Sequence, residues 1–322
     1  MRKAFVVGID DYPQQPLTGC CNDANEIAEL LSKHGNQTPN FDVKVNNNIY
    51  SKAELKGAIS ECFDGDSDVA LLYYSGHGYL EKGCGYLVTP DYSENDLGVS
   101  LDDVLKIVNT SMCRNKIVIL DTCHSGSMGC RVLDCNHTTE ISDGVTILTA
   151  CRAHEQAVEL DNHGLFTTLL LSAFSGGAAD IMGHITPGGI YAYIDKALGP
   201  WDQRPVFKTN VSRFVSLRDV VPQVDIAILR KICQYFETED SLFNLDPSYE
   251  PTNCIENVHT LIEPHANPEN TRIFSELQKL EGIGIIVPVG EEHMYYAAMN
   301  SKACKLTPMG QHYWRLARDN RI

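Results

Sequence analysis

The sequence predicts an α/β protein, a mainly parallel sheet between helices, followed by a small α+β module. Three observations predict it. Through Val221, short apolar runs bounded by turn residues alternate with amphipathic stretches of helical period, the pattern of strand–helix units. Two of the runs, Val69–Tyr74 and Lys116–Leu120, end in polar glycine-bearing segments, Ser75-Gly-His-Gly78 and Asp121-Thr-Cys-His-Ser-Gly126. Open α/β sheets present their sites at such strand ends. After Val221-Pro222 the alternation stops, and the expected boundary separates residues 1–222 from 223–322.

Ala4–Gly8 reads as a first buried strand and Ile9-Asp-Asp-Tyr-Pro13 as a turn. Asp23–His34 carries Ile27, Leu30 and Leu31 on one face and stops at Gly35, an amphipathic helix. Phe41–Val45 is a second strand, and Ser51-Lys-Ala-Glu54 is a capping box opening a helix through Ile59. The strand Val69–Tyr74 is followed by a loop and by Tyr86–Val88, a short strand closed by Thr89-Pro90. Ser100 and Asp103 signal the start of a helix over Leu101–Val108, ahead of the strand Lys116–Leu120. Residues 127–144 lose the pattern and read as an exposed connector between the parts 1–126 and 145–222. Val145–Thr149 is a further strand, and Phe166–Phe174 and Ile190–Leu198 are helices. Pro205–Phe207 and Phe214–Leu217 close the sheet, the proline fitting an edge. In 223–322, Ile226–Phe236, Thr271–Leu280 and Pro308–Ala317 are helices. Ile283–Val287 and Met294–Ala298 are expected to pair as a hairpin about Gly290-Glu-Glu292. Helix, hairpin, helix is a winged-helix-like order.

Composition narrows the function. The chain has 322 residues, 43% hydrophobic and 21% charged, with a net charge of −16. That balance opposes a nucleic-acid partner, whose binding relies on neutralising phosphates, and suits basic ligands or peptides. Residues 223–322 hold nine Lys and Arg against fourteen Asp and Glu, so the winged-helix-like part lacks the footprint of a DNA reader and is expected to meet proteins instead. The 12 cysteines are scattered, as free thiols in a reducing cytoplasm would be. No signal-peptide-like region precedes Ala4–Gly8, and no run approaches the roughly eighteen apolar residues of a membrane span.

The two strand ends carry complementary chemistry. If the strands are parallel neighbours, Cys123 and His77 emerge on one edge of the sheet, where a thiol nucleophile and its proton partner need to be. The amides of Gly78 and Cys123 then face a developing oxyanion. His124 is the rival for the base but points away if Cys123 faces the cleft. Cys130, Cys135 and His137 are too loosely spaced to read as a metal site.

Ser75-Gly-His-Gly78 and Asp121-Thr-Cys-His-Ser-Gly126, with Gly8-Ile-Asp-Asp-Tyr12 and Gly19-Cys-Cys-Asn-Asp-Ala24, resemble the caspase-like cysteine peptidases of family C14, and most closely their metacaspase branch. The resemblance covers Met1 to about Ser216. It implies the caspase–haemoglobinase fold and a Cys123–His77 dyad that cleaves through a thioester. It implies a first substrate pocket lined by Asp23 and Asp121, with Cys20 and Ser75 as its other walls, taking Arg over Lys. For Asp23 a helix cap is the alternative reading, and for Asp121 a turn contact. No cofactor is required for the chemistry. Calcium is implied for many relatives, and Asp91, Asp102 and Asp103 fall where its ligands would lie, although Met128, Gly129 and Cys130 stand where a further acid is expected. A zymogen cut by itself at Arg131 or Arg152 is a further implication. So is a regulated effector of stress, cell death or antiviral defence, with an activator or regulator docking on 223–322. A silent adaptor that keeps the fold for protein contacts is the competing class, and the intact Cys–His pair argues against it.

Overall fold

The apolar run at the start of the chain forms β1 (Arg2–Gly8), and α1 (Cys20–Ser32), β2 (Asp42–Val45), α2 (Lys52–Phe63) and β3 (Val69–Glu81) follow. The computed structural model describes residues 1–81, 84–94, 96–123, 140–150, 165–199, 205–254 and 261–322, with the side chains of all but Leu80 and Cys123. Next come β4 (Cys84–Ser93), β5 (Asp96–Ser100), α3 (Leu101–Thr110), β6 (Asn115–Cys123), β7 (Val145–Thr149) and α4 (Leu165–Ser172). β8 (His184–Ile185), α5 (Pro187–Ala197), β9 (Val206–Asn210) and β10 (Arg218–Asp219) complete a first compact unit, Met1–Val221.

Its sheet runs β2-β1-β3-β6-β7-β9, with β4 and β5 continuing off β3. The pairs from β2 to β7 are parallel and β9 is antiparallel. Period-two alternation sorts the strand residues between two cores. Val69, Leu71 and Tyr73 of β3 join Ile27 and Leu31 of α1 and Phe166 and Leu170 of α4. Ala70, Leu72 and Tyr74 join Leu55 and Ile59 of α2 and Val104 and Val108 of α3. Helices thus cover both faces, and the chain turns opposite ways from β1, first to β2 and then back to β3. The carboxyl end of the β1–β3 pair is the switch point where such sheets bind ligands.

Several elements differ from the sequence expectation. The helix expected from Asp23 begins at Cys20, because the Asp10 carboxylate accepts from the Cys20 and Cys21 amides at 2.9 and 3.1 Å and caps it from outside. Gly8 makes room for that helix end: a Cβ there would lie 2.1 Å from the Cys20 carbonyl oxygen. The strand expected to stop at Tyr74 runs to Glu81, and its second half pairs antiparallel with β4 where a loop was expected. The strand expected to stop at Leu120 runs through Cys123. Phe214–Leu217 is not a strand of the sheet; Arg218 and Asp219 pair instead with β8 in a separate ribbon.

The second compact unit, Pro222–Ile322, contains α6 (Ile226–Arg230), α7 (Ile232–Tyr235), β11 (Leu242–Asn244), α8 (Pro268–Gly282), β12 (Ile286–Val289), α9 (Met294–Met299), β13 (Ala303–Leu306) and α10 (Pro308–Arg318). Its three strands lie in the order β11-β13-β12, all antiparallel. Met294–Ala298, expected as a strand, is the helix α9, and the partner of β12 is β13.

Candidate active site

β3 and β6 are neighbours and parallel, with Ser75 opposite Asp121, Gly76 opposite Thr122 and His77 opposite Cys123. The two polar motifs are therefore one pair of strand ends in register, at the switch-point edge of the sheet.

His77 is nearly buried, 6% exposed, and is held at its backbone and its ring. Its amide donates to the Tyr12 hydroxyl at 3.0 Å, and its carbonyl accepts from the Tyr74 hydroxyl at 2.9 Å. The two hydroxyls are 3.2 Å apart, and each also reaches the Val88 carbonyl. Gly76 is required by this arrangement, since a Cβ there would sit 2.6 Å from the Tyr12 hydroxyl and 2.7 Å from that of Tyr74. The Tyr12 ring packs on the imidazole, centroids 4.4 Å apart. Nε2 of His77 lies 2.7 Å from the Gln15 carbonyl oxygen. A carbonyl only accepts, so the neutral ring keeps its proton on Nε2, and Nδ1 is the basic nitrogen.

Below His77 on the α1 face lies a buried acidic cluster. Asp23 is 1% exposed and Asp121 0%. Ser75 donates to Asp23 at 3.4 Å, and Thr167 of α4 donates to Asp121 at 2.6 Å. The Tyr73 hydroxyl is 2.7 Å from that of Thr167. Burial, then the charges of Asp121 and Asp23, push the Tyr73 phenol far above its ordinary range, so both carboxylates act on one spot. Cys20, 1% exposed, lies one helical turn before Asp23 on α1. Asp23 is not the cap of α1, whose cap position is Gly19.

The acids expected to hold calcium have other employment. Asp91 accepts from Thr89 at 2.6 Å and from the first amide of α2, Lys52, at 3.2 Å. Asp102 accepts from the Cys84 thiol at 3.3 Å, and Asp103 pairs with Lys56 at 3.0 Å. Hydrogen bonding to Lys56 holds the Asp103 carboxyl below its usual value. Each of the three is thus engaged by other groups, and no group of three or more metal-binding side chains occurs among the described residues. His124, Arg131, Arg152, Cys130, Cys135 and His137 lie outside the described residues. Three other thiols are poor nucleophiles: burial pushes Cys21 up to about 12, Cys62 to about 11 and Cys304 to about 12.

Beside His77 a cleft of about 300 Å³ is lined by Tyr12 and Gln15 of the β1–α1 connection and by residues of β3, β4 and β5. The Gln15 carbonyl, the paired tyrosine hydroxyls, Thr167 and this cleft escaped the sequence reading. The available signals were Tyr12 in the Gly-Ile-Asp-Asp-Tyr run and two tyrosines, Tyr73 and Tyr74, in an otherwise aliphatic strand.

Among curated proteins no match is found. Similar solved structures include the following two. Protein GSU0716 from Geobacter sulfurreducens is 19% identical, with 68% of this chain and 97% of that one covered and a TM-score of 0.47. Caspase-1 from Spodoptera frugiperda is 13% identical, with 68% and 90% covered and a TM-score of 0.48. Described residues contain no helix long and apolar enough to cross a membrane. The caspase domain profile of the peptidase C14 family matches residues 1–187, which span β1 to the start of α5, and the chain belongs to that family.

Proposed function

We propose that this chain is a cysteine endopeptidase of the metacaspase kind that cuts after Arg, less readily after Lys. The observation that carries the reading is the register of His77 against Cys123 across two parallel strands. Nδ1 of His77 takes the Cys123 thiol proton, and the sulfur attacks the substrate carbonyl. The amides of Gly78 and Cys123 receive the oxyanion. His77 returns its proton to the departing amine as the C–N bond breaks, leaving a thioester that water hydrolyses to the acid and free thiol. Gln15 holds the imidazole in the tautomer this requires.

Specificity is assigned to Asp23 and Asp121, with Ser75 and Cys20 beside them. Two carboxylates served by hydroxyl donors in a dry site suit a planar guanidinium, which takes both oxygens of a carboxylate; a lysine ammonium makes fewer such bonds. Self-cleavage at Arg131 or Arg152, a cytoplasmic role in stress, cell death or defence, and regulation through 223–322 belong to the same proposal. No step runs through calcium.

The test is turnover of fluorogenic peptides ending in Arg, Lys or Asp by the full chain and by Cys123→Ala and Asp121→Asn. Cys123→Ala should abolish turnover. Asp121→Asn should cost Arg peptides about a hundred-fold in kcat/KM, the scale of losing one partner of a buried charge pair. Preference for Asp would sink the acidic pocket, and Cys123-independent turnover would sink the dyad.

A further inference from the structure

The cleft beside His77 has walls that the chemistry above leaves unused. Tyr12, His77 and Val88 line it together with Tyr79 of β3, Tyr92 of β4 and Leu97 of β5. Most of the lining surface is apolar, and its volume of about 300 Å³ is at the small end of ligand pockets, enough for one large side chain. Glu81 and Glu94 also line it, as its carboxylate-bearing side chains. The acidic cluster adjoins the core beneath α1, and the cleft residues Tyr12, Val88, Tyr79 and Tyr92 adjoin the other core. Tyr73 belongs to the core beneath α1, with Asp23 and Asp121 acting on it, whereas Tyr12, Tyr74 and Val88 belong to the core on the other face.

We propose that this cleft is the subsite for the substrate residue on the amine side of the scissile bond, and that it takes a large apolar or aromatic side chain and rejects an acidic one. This rests on the reading of His77 and Cys123 as the catalytic pair. The direction follows from the chemistry. Cys123 holds the carbonyl half of the substrate, whose side chain goes to the carboxylates on the α1 side. His77 delivers its proton to the departing nitrogen, so that nitrogen lies against the imidazole. The side chain carried by the next Cα then meets the surface that the imidazole itself borders, which is the cleft. Three tyrosines, a valine and a leucine offer that side chain apolar and ring contact. The two glutamates repel a carboxylate there.

Internally quenched peptides with Arg before the bond and Phe, Leu, Gly or Asp after it test the proposal on the full-length protein. Phe and Leu peptides should exceed the Gly peptide about ten-fold in kcat/KM, the scale of burying one such side chain, with Asp last. Leu97→Trp, which fills the cleft, and Tyr92→Ala, which strips a wall, should each shrink the Phe-to-Gly ratio to within about two-fold. Glu81→Gln with Glu94→Gln should raise the Asp peptide relative to Gly. An unchanged Phe-to-Gly ratio in both cleft variants, or a flat ranking in the unmodified protein, overturns the subsite. Binding of the same peptides to Cys123→Ala, followed by fluorescence anisotropy, reads the subsite without turnover. A Phe peptide that binds tighter than the Gly peptide and loses that advantage in Leu97→Trp supports it, and equal affinities overturn it. Loss of the dyad reading is a separate result: cleavage that survives Cys123→Ala.

Discussion

The hydroxyl of Tyr12 accepts from the His77 amide, and the Gln15 carbonyl accepts from its ring. Backbone and imidazole are thus held by two residues of one turn, the Ile9–Pro13 turn and its continuation. Together they orient the ring. In Tyr12→Phe the buried His77 amide loses its acceptor, at a cost of about 1–3 kcal/mol. The expected outcome is a lower Tm together with a fall in kcat for Arg peptides and little change in KM, since the carboxylate cluster is left alone. Calorimetry and steady-state kinetics check both halves, and a variant with the parent's Tm and kcat would refute the positioning role.

At the scale of elements, the segments that carry the site are strands longer than their hydropathy. The apolar runs end at Tyr74 and Leu120, and so did the strands expected from sequence. Pairing with neighbours continues the ladder through Ser75–His77 and Asp121–Cys123 even though the side chains turn polar. Gly76→Ala tests how tightly that extension is packed. Its Cβ would press on the Tyr12 and Tyr74 hydroxyls, and overpacking of this kind costs about 1–3 kcal/mol. Denaturant titration should show the lower midpoint, with peptidase activity lost at the same time. The order of elements, the capping at Ser51 and Ser100, and the two polar strand-end motifs were legible because they are local patterns. What was not legible comes from afar. Asp10 caps α1 across ten residues, and Thr167 reaches Asp121 from 46 residues downstream. The helix α9 was missed because Met-Tyr-Tyr-Ala-Ala is apolar throughout. Only its burial, with Met294, Ala297 and Ala298 inside and Tyr295 and Tyr296 exposed, reveals the helical spacing.

For the peptidase unit as a whole, acid sensitivity is expected from a cluster remote from the site. His34 Nδ1 accepts from the Asp219 amide at 3.0 Å, so its 3.6 Å approach to the Asp219 carboxylate is not an ion pair, and the ring is neutral. Burial, against the pull of Asp219, lowers its pKa. The unfolded chain therefore binds the proton more readily, and stability falls as pH drops below about 6.5, the unfolded value. Burial pushes the Asp219 carboxyl up, but hydrogen bonds from His184 and Ser216 outweigh it and hold the carboxyl low, so its contribution is lost only near pH 4 and below. The Tm should decline between about pH 7 and pH 5, and His34→Gln should flatten that decline. An identical slope in the variant would show that other groups are responsible.

The register that sets His77 beside Cys123 also sets when the protein can act. Asp23, His77 and Cys123 come from α1, β3 and β6, so the site is assembled from three successive parallel units rather than from one hairpin. A nascent chain that has emerged only through β3 holds Asp23 and His77, but neither Asp121 nor Cys123. Joining β6 to β3 is a non-local step, the slow kind in a parallel sheet. On the proposed reading, cutting begins when the centre of the sheet closes. A half-made copy is inert on the ribosome, and the capacity to cut is a property of the finished fold.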